Sequence, residues 1–157
     1  MKLNIVLLEP EIPHNTGAIG RTCSVTGCAL HLIRPLGFST DEKHLRRTGL
    51  DYWHSLNIVY HDSYPDFLEF FGLNSRGRLW MVETKGSMCY TDVSFAMDDY
   101  LMLGSESYGI PDKILCQNPG QILRIPMAGG VRSLNLSVAA GIIIYEALRQ
   151  NGFSGLS

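Results

Sequence analysis

Cysteine chemistry is nearly absent from this chain. The four cysteines, Cys23, Cys28, Cys89 and Cys116, include no Cys-x-x-Cys pair, and no histidine pair completes a zinc pattern. The expectation is four reduced, mostly buried thiols and no metal site. Charge is scarce too: charged residues make up 18% and the formal net charge is −2. That excludes a nucleic-acid binder relying on bulk positive charge, so any RNA contact needs a local basic cluster or one doubled by dimerisation. Long hydrophobic runs are missing. The longest, residues 138–145, falls far short of a membrane span. The apolar N-terminal run is stopped by Glu9-Pro10-Glu11 and is too short for a signal peptide. A cytoplasmic protein is expected. Gly17-x-x-Gly20 lacks the leading Gly-x-Gly of the dinucleotide fingerprint, which excludes an ordinary nucleotide-dependent oxidoreductase.

What is present is a chain of 157 residues, 45% hydrophobic, enough for a single domain over residues 1–157 with a real core. Strand-like and helix-like patterns alternate. Apolar runs at 3–8, 29–33, 57–60, 79–82, 100–103 and 122–125 read as strands. Asn15 as N-cap and Gly27 as the stop bound a first helix. Asp41 can cap a short helix through Arg47. Ser63 with Pro65 starts another that ends near Gly72, and a last helix runs from about Ser133 to Gln150. Residues 83–94 read as irregular loop. Strands separated by helices predict an α/β fold: a mostly parallel sheet with helices on both faces and ligand loops at the C-terminal edge. Three loops stand out there, at 83–86, 104–111 and 126–132.

The last helix is apolar around most of its circumference, from Leu134 through Leu148. Such a helix is buried on most sides, either at the centre of a monomer or against a partner subunit. Gly141 costs about 1 kcal/mol in a helix interior, which close approach of another backbone could offset.

Four stretches carry chemistry. Glu9-Pro10-Glu11-Ile12-Pro13-His14-Asn15-Thr16-Gly17, followed by Arg21, places a helix N-terminus and a guanidinium where a phosphate could bind. The bland alternative is a capping Asn15 and a solvated Arg21. Gly104-Ser105-Glu106-Ser107-Tyr108-Gly109-Ile110-Pro111 follows a strand directly. Gly104 permits close backbone approach to a ligand, and Glu106 can be a general base, a hydroxyl acceptor or, by base rate, an N-cap. Gly129-Gly130-Val131-Arg132-Ser133-Leu134-Asn135-Leu136-Ser137 leads into the last helix, with Asn135 in its first turn, where Asn is a poor helix former. Lys43, Arg46 and Arg47 share one helix face, either solvated or facing an RNA backbone.

Together these stretches, with Leu45-Arg46-Arg47-Thr48-Gly49-Leu50-Asp51-Tyr52, resemble the SPOUT superfamily of RNA methyltransferases, and most closely its small bacterial tRNA wobble-position (cytidine or uridine) 2′-O-ribose methyltransferases. The resemblance runs over essentially the whole chain. It implies a C-terminal trefoil knot, which no sequence pattern would suggest. It also implies a homodimer joined by the C-terminal helix, the anticodon loop of tRNA as partner, and S-adenosylmethionine as cofactor without a metal. Carried over by position, Val82, Thr84, Gly104, Ile125, Met127, Ser133 and Leu134 would bind the cofactor. Arg21, Asn15, Glu106, Ser133 and Asn135 would serve catalysis. RNA would meet Arg46, Arg47 and Arg132. The family's proposed base is Arg21. A guanidinium stays protonated in proteins, so gripping a phosphate and stabilising charge on the ribose oxygen is the better role for it. The chain has Tyr108 where some members carry Arg, and Gly20 where several carry a bulkier apolar residue. Two other functions remain open at this point: a non-catalytic RNA-binding or assembly protein on the same fold, and 2′-O-methylation of another RNA.

Overall fold

The computed structural model describes residues 2–41 and 51–157. The helix expected from Asp41 through Arg47, with Lys43, Arg46 and Arg47, lies outside the described residues.

Seven strands form one sheet among the described residues: β1 (Asn4–Leu8), β2 (Ala29–Ile33), β3 (Ile58–His61), β4 (Leu79–Val82), β5 (Met88–Cys89), β6 (Tyr100–Leu103) and β7 (Ile122–Arg124). Their spatial order is β3-β2-β1-β6-β4-β7-β5, and every pairing is parallel. The mostly parallel sheet expected from the alternation is therefore wholly parallel. β5 is new: it lies inside the stretch expected to be irregular.

Parallel strands need crossovers, and α1 (Pro13–Thr26), α2 (Tyr64–Asn74), α3 (Asp112–Leu115) and α4 (Leu136–Gln150) supply them or cover the faces. Side chains alternate cleanly across the sheet. Leu3, Ile5, Leu7, Leu30, Leu32, Trp80, Leu101 and Leu103 face one core with α1 and α4. Val6, Leu8, Ile33, Leu79, Met81, Tyr100 and Met102 face the other, with Phe67 of α2 and Ile114 and Leu115 of α3. Burial on both faces explains why these strands read as continuous apolar runs.

Local chemistry sets the helix ends. Pro13 stands in the first turn of α1, where a missing N–H costs nothing, and Gly27 ends the helix with φ of 72°. The N-cap of α1 is Ile12, without a side-chain cap bond, so Asn15 is inside the first turn and not the cap expected of it. Ser63 caps α2 by accepting from the Asp66 N–H. In α4 the cap is Asn135, whose side-chain oxygen accepts from the N–H groups of Ser137 and Val138. The last helix therefore starts after Asn135 and not at Ser133, and its asparagine is a cap and no misfit.

At the edge of the sheet opposite the ligand loops, Asp99 is fully buried and ties β4 to β6. It accepts from the Arg78 N–H at 2.8 Å, the Ala96 N–H at 2.9 Å and the Trp80 indole at 2.9 Å, and pairs with the Arg78 guanidinium at 3.0 Å. Burial pushes its pKa up, and these bonds more than reverse that, leaving it below the usual carboxylate range. A second buried polar pair joins β2 and β3: His31 Nδ1 and His61 Nε2 lie 3.0 Å apart, enclosed by Phe67, Phe70 and Tyr100. Burial first, and the neighbouring His61 second, push His31 down to about 4.

The thiols are all free. Cys23 and Cys28 are buried, Cys89 is partly buried and Cys116 is exposed, so half of the set departs from the expected burial. No helix among the described residues is long and apolar enough to cross a membrane.

Candidate active site

The C-terminal ends of β4, β6 and β7 are neighbours in the sheet, although β6 lies between the other two in sequence. Their loops converge there, as expected of an open parallel sheet. The loops and the start of α4 enclose a cleft of about 550 Å³. All seven residues expected to hold the cofactor line it. So do Asn15, Glu106, Ser133, Asn135 and Arg132.

Three polar side chains from distant parts of the chain meet at its wall. The Glu106 carboxylate accepts from the Glu11 N–H at 2.8 Å, the Ile12 N–H at 3.1 Å and the Asn15 amide at 3.2 Å. The Asn15 oxygen in turn accepts from the Asn135 amide at 3.0 Å. The remaining oxygen of Asn135 caps α4 through the Ser137 N–H at 2.9 Å. Asn15 is buried, which makes both halves of its amide matter: reversing it would set the NH₂ groups of Asn15 and Asn135 against each other.

Glu106 is thus a cap, as base rate favoured, but of a helix 95 residues away and not of its own loop. At the entrance of α1, where a phosphate could bind, the protein's own carboxylate takes the Glu11 and Ile12 N–H groups. Glu11 completes a reciprocal clasp by accepting from the Ser107 N–H at 2.9 Å. Hydrogen bonding from Ser107, against a smaller effect of burial, holds its carboxyl below the usual range.

Gly104 and Gly109 serve the loop itself. A side chain on Gly104 would collide with the main chain of Gly109, so the glycine lets the loop backbone pack on itself where it lines the cleft. Gly109 has φ of 64°, and a side chain there would strike the Glu83 carboxylate. Glu83 accepts from the Ile110 N–H at 2.9 Å and the Thr84 N–H at 3.0 Å, joining two of the cleft's loops. Sequence reasoning passed over Glu83. Its position, one residue beyond a parallel strand in a loop already singled out, was the available signal.

Arg21 lies apart from the cleft lining. It is exposed two turns along α1 from Asn15, with its guanidinium 4.7 Å above the Tyr52 ring. The Tyr52 hydroxyl donates to the Gly17 carbonyl of the same helix, and Trp53 packs where Gly20 leaves room. Arg132 reaches across the cleft mouth to the Ser107 carbonyl at 3.3 Å. Arg46 and Arg47 lie outside the described residues.

A third face concerns α4. Val138 and Tyr145 are exposed seven residues apart on the helix, as is Leu134 just before it, and among the described residues a side chain on Gly141 would meet nothing within 4 Å. Among the described residues no other backbone approaches that glycine, and with Val138 and Tyr145 half exposed the helix is not buried on all sides of the single chain. Its inner side, with Ala140, Ile143, Ala147 and Leu148, is buried in the core.

Comparison with known proteins supplies the context for this geometry. A solved structure described as "Structural insights into the 2-OH methylation of C/U34 on tRNA" superposes with a TM-score of 0.88 at 44% identity, over 96% of this chain and 97% of that one. A tRNA (cytidine(34)-2'-O)-methyltransferase from Yersinia pestis is 50% identical over 156 residues, 98% of this chain and 96% of that protein. The SpoU methyltransferase AviRb from Streptomyces viridochromogenes, in complex with the cofactor AdoMet, superposes with a TM-score of 0.81 at 26% identity, covering 96% of this chain and 58% of that one. The model of the SpoU rRNA Methylase family matches residues 2–145, and the chain belongs to that family.

Proposed function

We propose that the protein transfers a methyl group from S-adenosylmethionine to the ribose 2′-hydroxyl of the wobble nucleotide, cytidine or uridine, of tRNA. The observation that carries this reading is the cleft after β4, β6 and β7, with the Glu106–Asn15–Asn135 chain of hydrogen bonds in its wall. The tRNA (cytidine(34)-2'-O)-methyltransferase at 50% identity and the structure concerned with 2-OH methylation of C/U34 at 44% identity support it.

The cleft suits the cofactor in size and chemistry. Its volume lies within the range of small-molecule sites, and its apolar side chains alternate with loop backbone that can bond a base edge. Val82, Gly104, Ile125 and Leu134 would hold the nucleoside part, with Thr84, Met127 and Ser133 beside them. When bound, the sulfonium supplies an electrophilic methyl group.

The protein's own residues then have three tasks. Asn15, Glu106 and Asn135 fix the relative position of the loop after β6, the start of α1 and the start of α4, which aligns the reacting groups. Both oxygens of Glu106 already accept hydrogen bonds, so its role is to position and not to take a proton. Arg21, steadied on Tyr52, grips a phosphate of the substrate and stabilises negative charge developing on the ribose oxygen. Arg132 adds an RNA contact at the rim, and Arg46 and Arg47 add others.

The working unit is a homodimer joined through the exposed apolar face of α4, acting on the anticodon loop in the cytoplasm as a single domain. The C-terminal trefoil knot implied by the resemblance belongs to this proposal. The test is mass spectrometry of tRNA nucleosides from cells with and without the gene, paired with methyl transfer by the purified protein. Loss of 2′-O-methylcytidine or 2′-O-methyluridine at the wobble position is expected. Unchanged nucleosides together with no transfer to bulk tRNA would overturn the assignment.

A further inference from the structure

One side chain in the cleft has no task in this scheme. Tyr108 lines the cleft yet leaves 70% of its surface open to solvent. The backbone that carries it is held in a closed turn. Its N–H donates to Ser105 Oγ at 3.3 Å, and the turn around it is closed by Ser105 and Gly109, which exchange backbone hydrogen bonds at 3.2 and 2.9 Å. The negative charge of Glu11 on the neighbouring loop raises the phenol above its ordinary range. Among the described residues no aromatic ring and no cation covers its faces. The Tyr52 ring, by contrast, already carries Arg21.

An exposed aromatic ring with free faces, carried on a closed turn at the edge of a cleft, is suited to stacking. In a ribose, the carbon bearing the reacting hydroxyl is bonded to the carbon bearing the base. A ribose delivered to the cleft therefore brings its base to the rim where Tyr108 stands. We propose that Tyr108 is the stacking platform for the base of the nucleotide that is methylated.

The proposal rests on the functional reading above, and its test separates the two. Anticodon stem–loop RNA is prepared with the target base intact and with an abasic ribose that keeps its 2′-hydroxyl. Both are assayed with the wild type, Tyr108→Leu and Tyr108→Phe. Stacking of one base predicts that Tyr108→Leu raises the KM for intact RNA by roughly ten-fold. The same loss is expected for wild type on abasic RNA, with no further loss when the two changes are combined. Tyr108→Phe keeps most of the ring-dependent affinity. Affinity for S-adenosylmethionine, measured by calorimetry, stays unchanged in both variants. A Tyr108→Leu enzyme within two-fold of wild type on intact RNA overturns the inference, as do penalties that multiply independently or a loss of cofactor affinity. A wild type that methylates intact RNA while showing any of these results leaves the functional reading standing; a wild type that methylates neither RNA removes both.

Discussion

The Asn135 amide donates to the Asn15 side-chain oxygen at 3.0 Å, joining residues 120 positions apart at the wall of the cleft. Each asparagine uses both halves of its amide, so neither can turn without breaking a second bond. Asn135→Asp isolates the inter-loop bond, because aspartate caps a helix about as well as asparagine. The new carboxylate oxygen would face the Asn15 oxygen and leave it without a donor. The expected cost is about 1–3 kcal/mol, which lowers Tm by several degrees in a domain of this size. Methyl transfer should fall more steeply than cofactor affinity. Thermal melts and calorimetry on one sample check both, and full activity at an unchanged Tm counts against the role given to this pair.

Arg21 offers a sharper distinction. A guanidinium can bond a phosphate through two parallel N–H groups and lie flat on Tyr52, whereas an ammonium can do neither. Arg21→Lys is expected to lower kcat/KM for tRNA by ten-fold or more while leaving the fold intact. Near-full turnover in that variant would remove the two-pronged contact from the scheme.

Val138 and Tyr145 stand seven residues apart on the outward face of α4, each about half exposed. Val138→Glu puts a charge on this face without touching the core. Light scattering is expected to show a dimer for wild type and a monomer for the variant. A monomeric wild type would defeat the assignment of this face.

The His31 pair makes stability depend on pH. An ordinary imidazole titrates near 6.5, and His31 in the folded protein is pushed down to about 4, so the unfolded chain binds the proton more readily. Its contribution is fully present above pH 6.5 and declines as the pH falls toward 4, by about 3 kcal/mol at most. Asp99, held low in the fold, adds a loss of its own only at lower pH, as the pH drops through its folded value. Urea unfolding between pH 7 and 4 should show the first decline, and His31→Asn should flatten it. A wild-type midpoint that stays level across this range rules the explanation out.

Much of this fold could be read from local pattern. β2, β4 and β6 lie where their apolar runs begin and end, because both faces of a parallel sheet demand the same side chains. β5 escaped because two residues, Met88 and Cys89, carry no period. Asn15 was taken for a cap because the residue type suits it, but Pro13 fixes the helix start earlier. The cleft loops were legible as glycine-rich breaks after strands. The grip of Glu106 on the entrance of α1 was not, since nothing near Glu106 in sequence announces a partner 95 residues away. Glu83 was missed for the same reason: its partner Ile110 is supplied by the fold.

The clasp formed by Glu11 and Glu106 has an electrostatic consequence for how a polyanion can approach. Both carboxylates stand beside the mouth of the cleft, with Glu83 farther in, and a strand of RNA repels all three. In the proposed scheme the phosphates keep to Arg21 and Arg132. The same scheme then has the uncharged part of the nucleotide turn inward, with the sugar edge leading and the backbone outside.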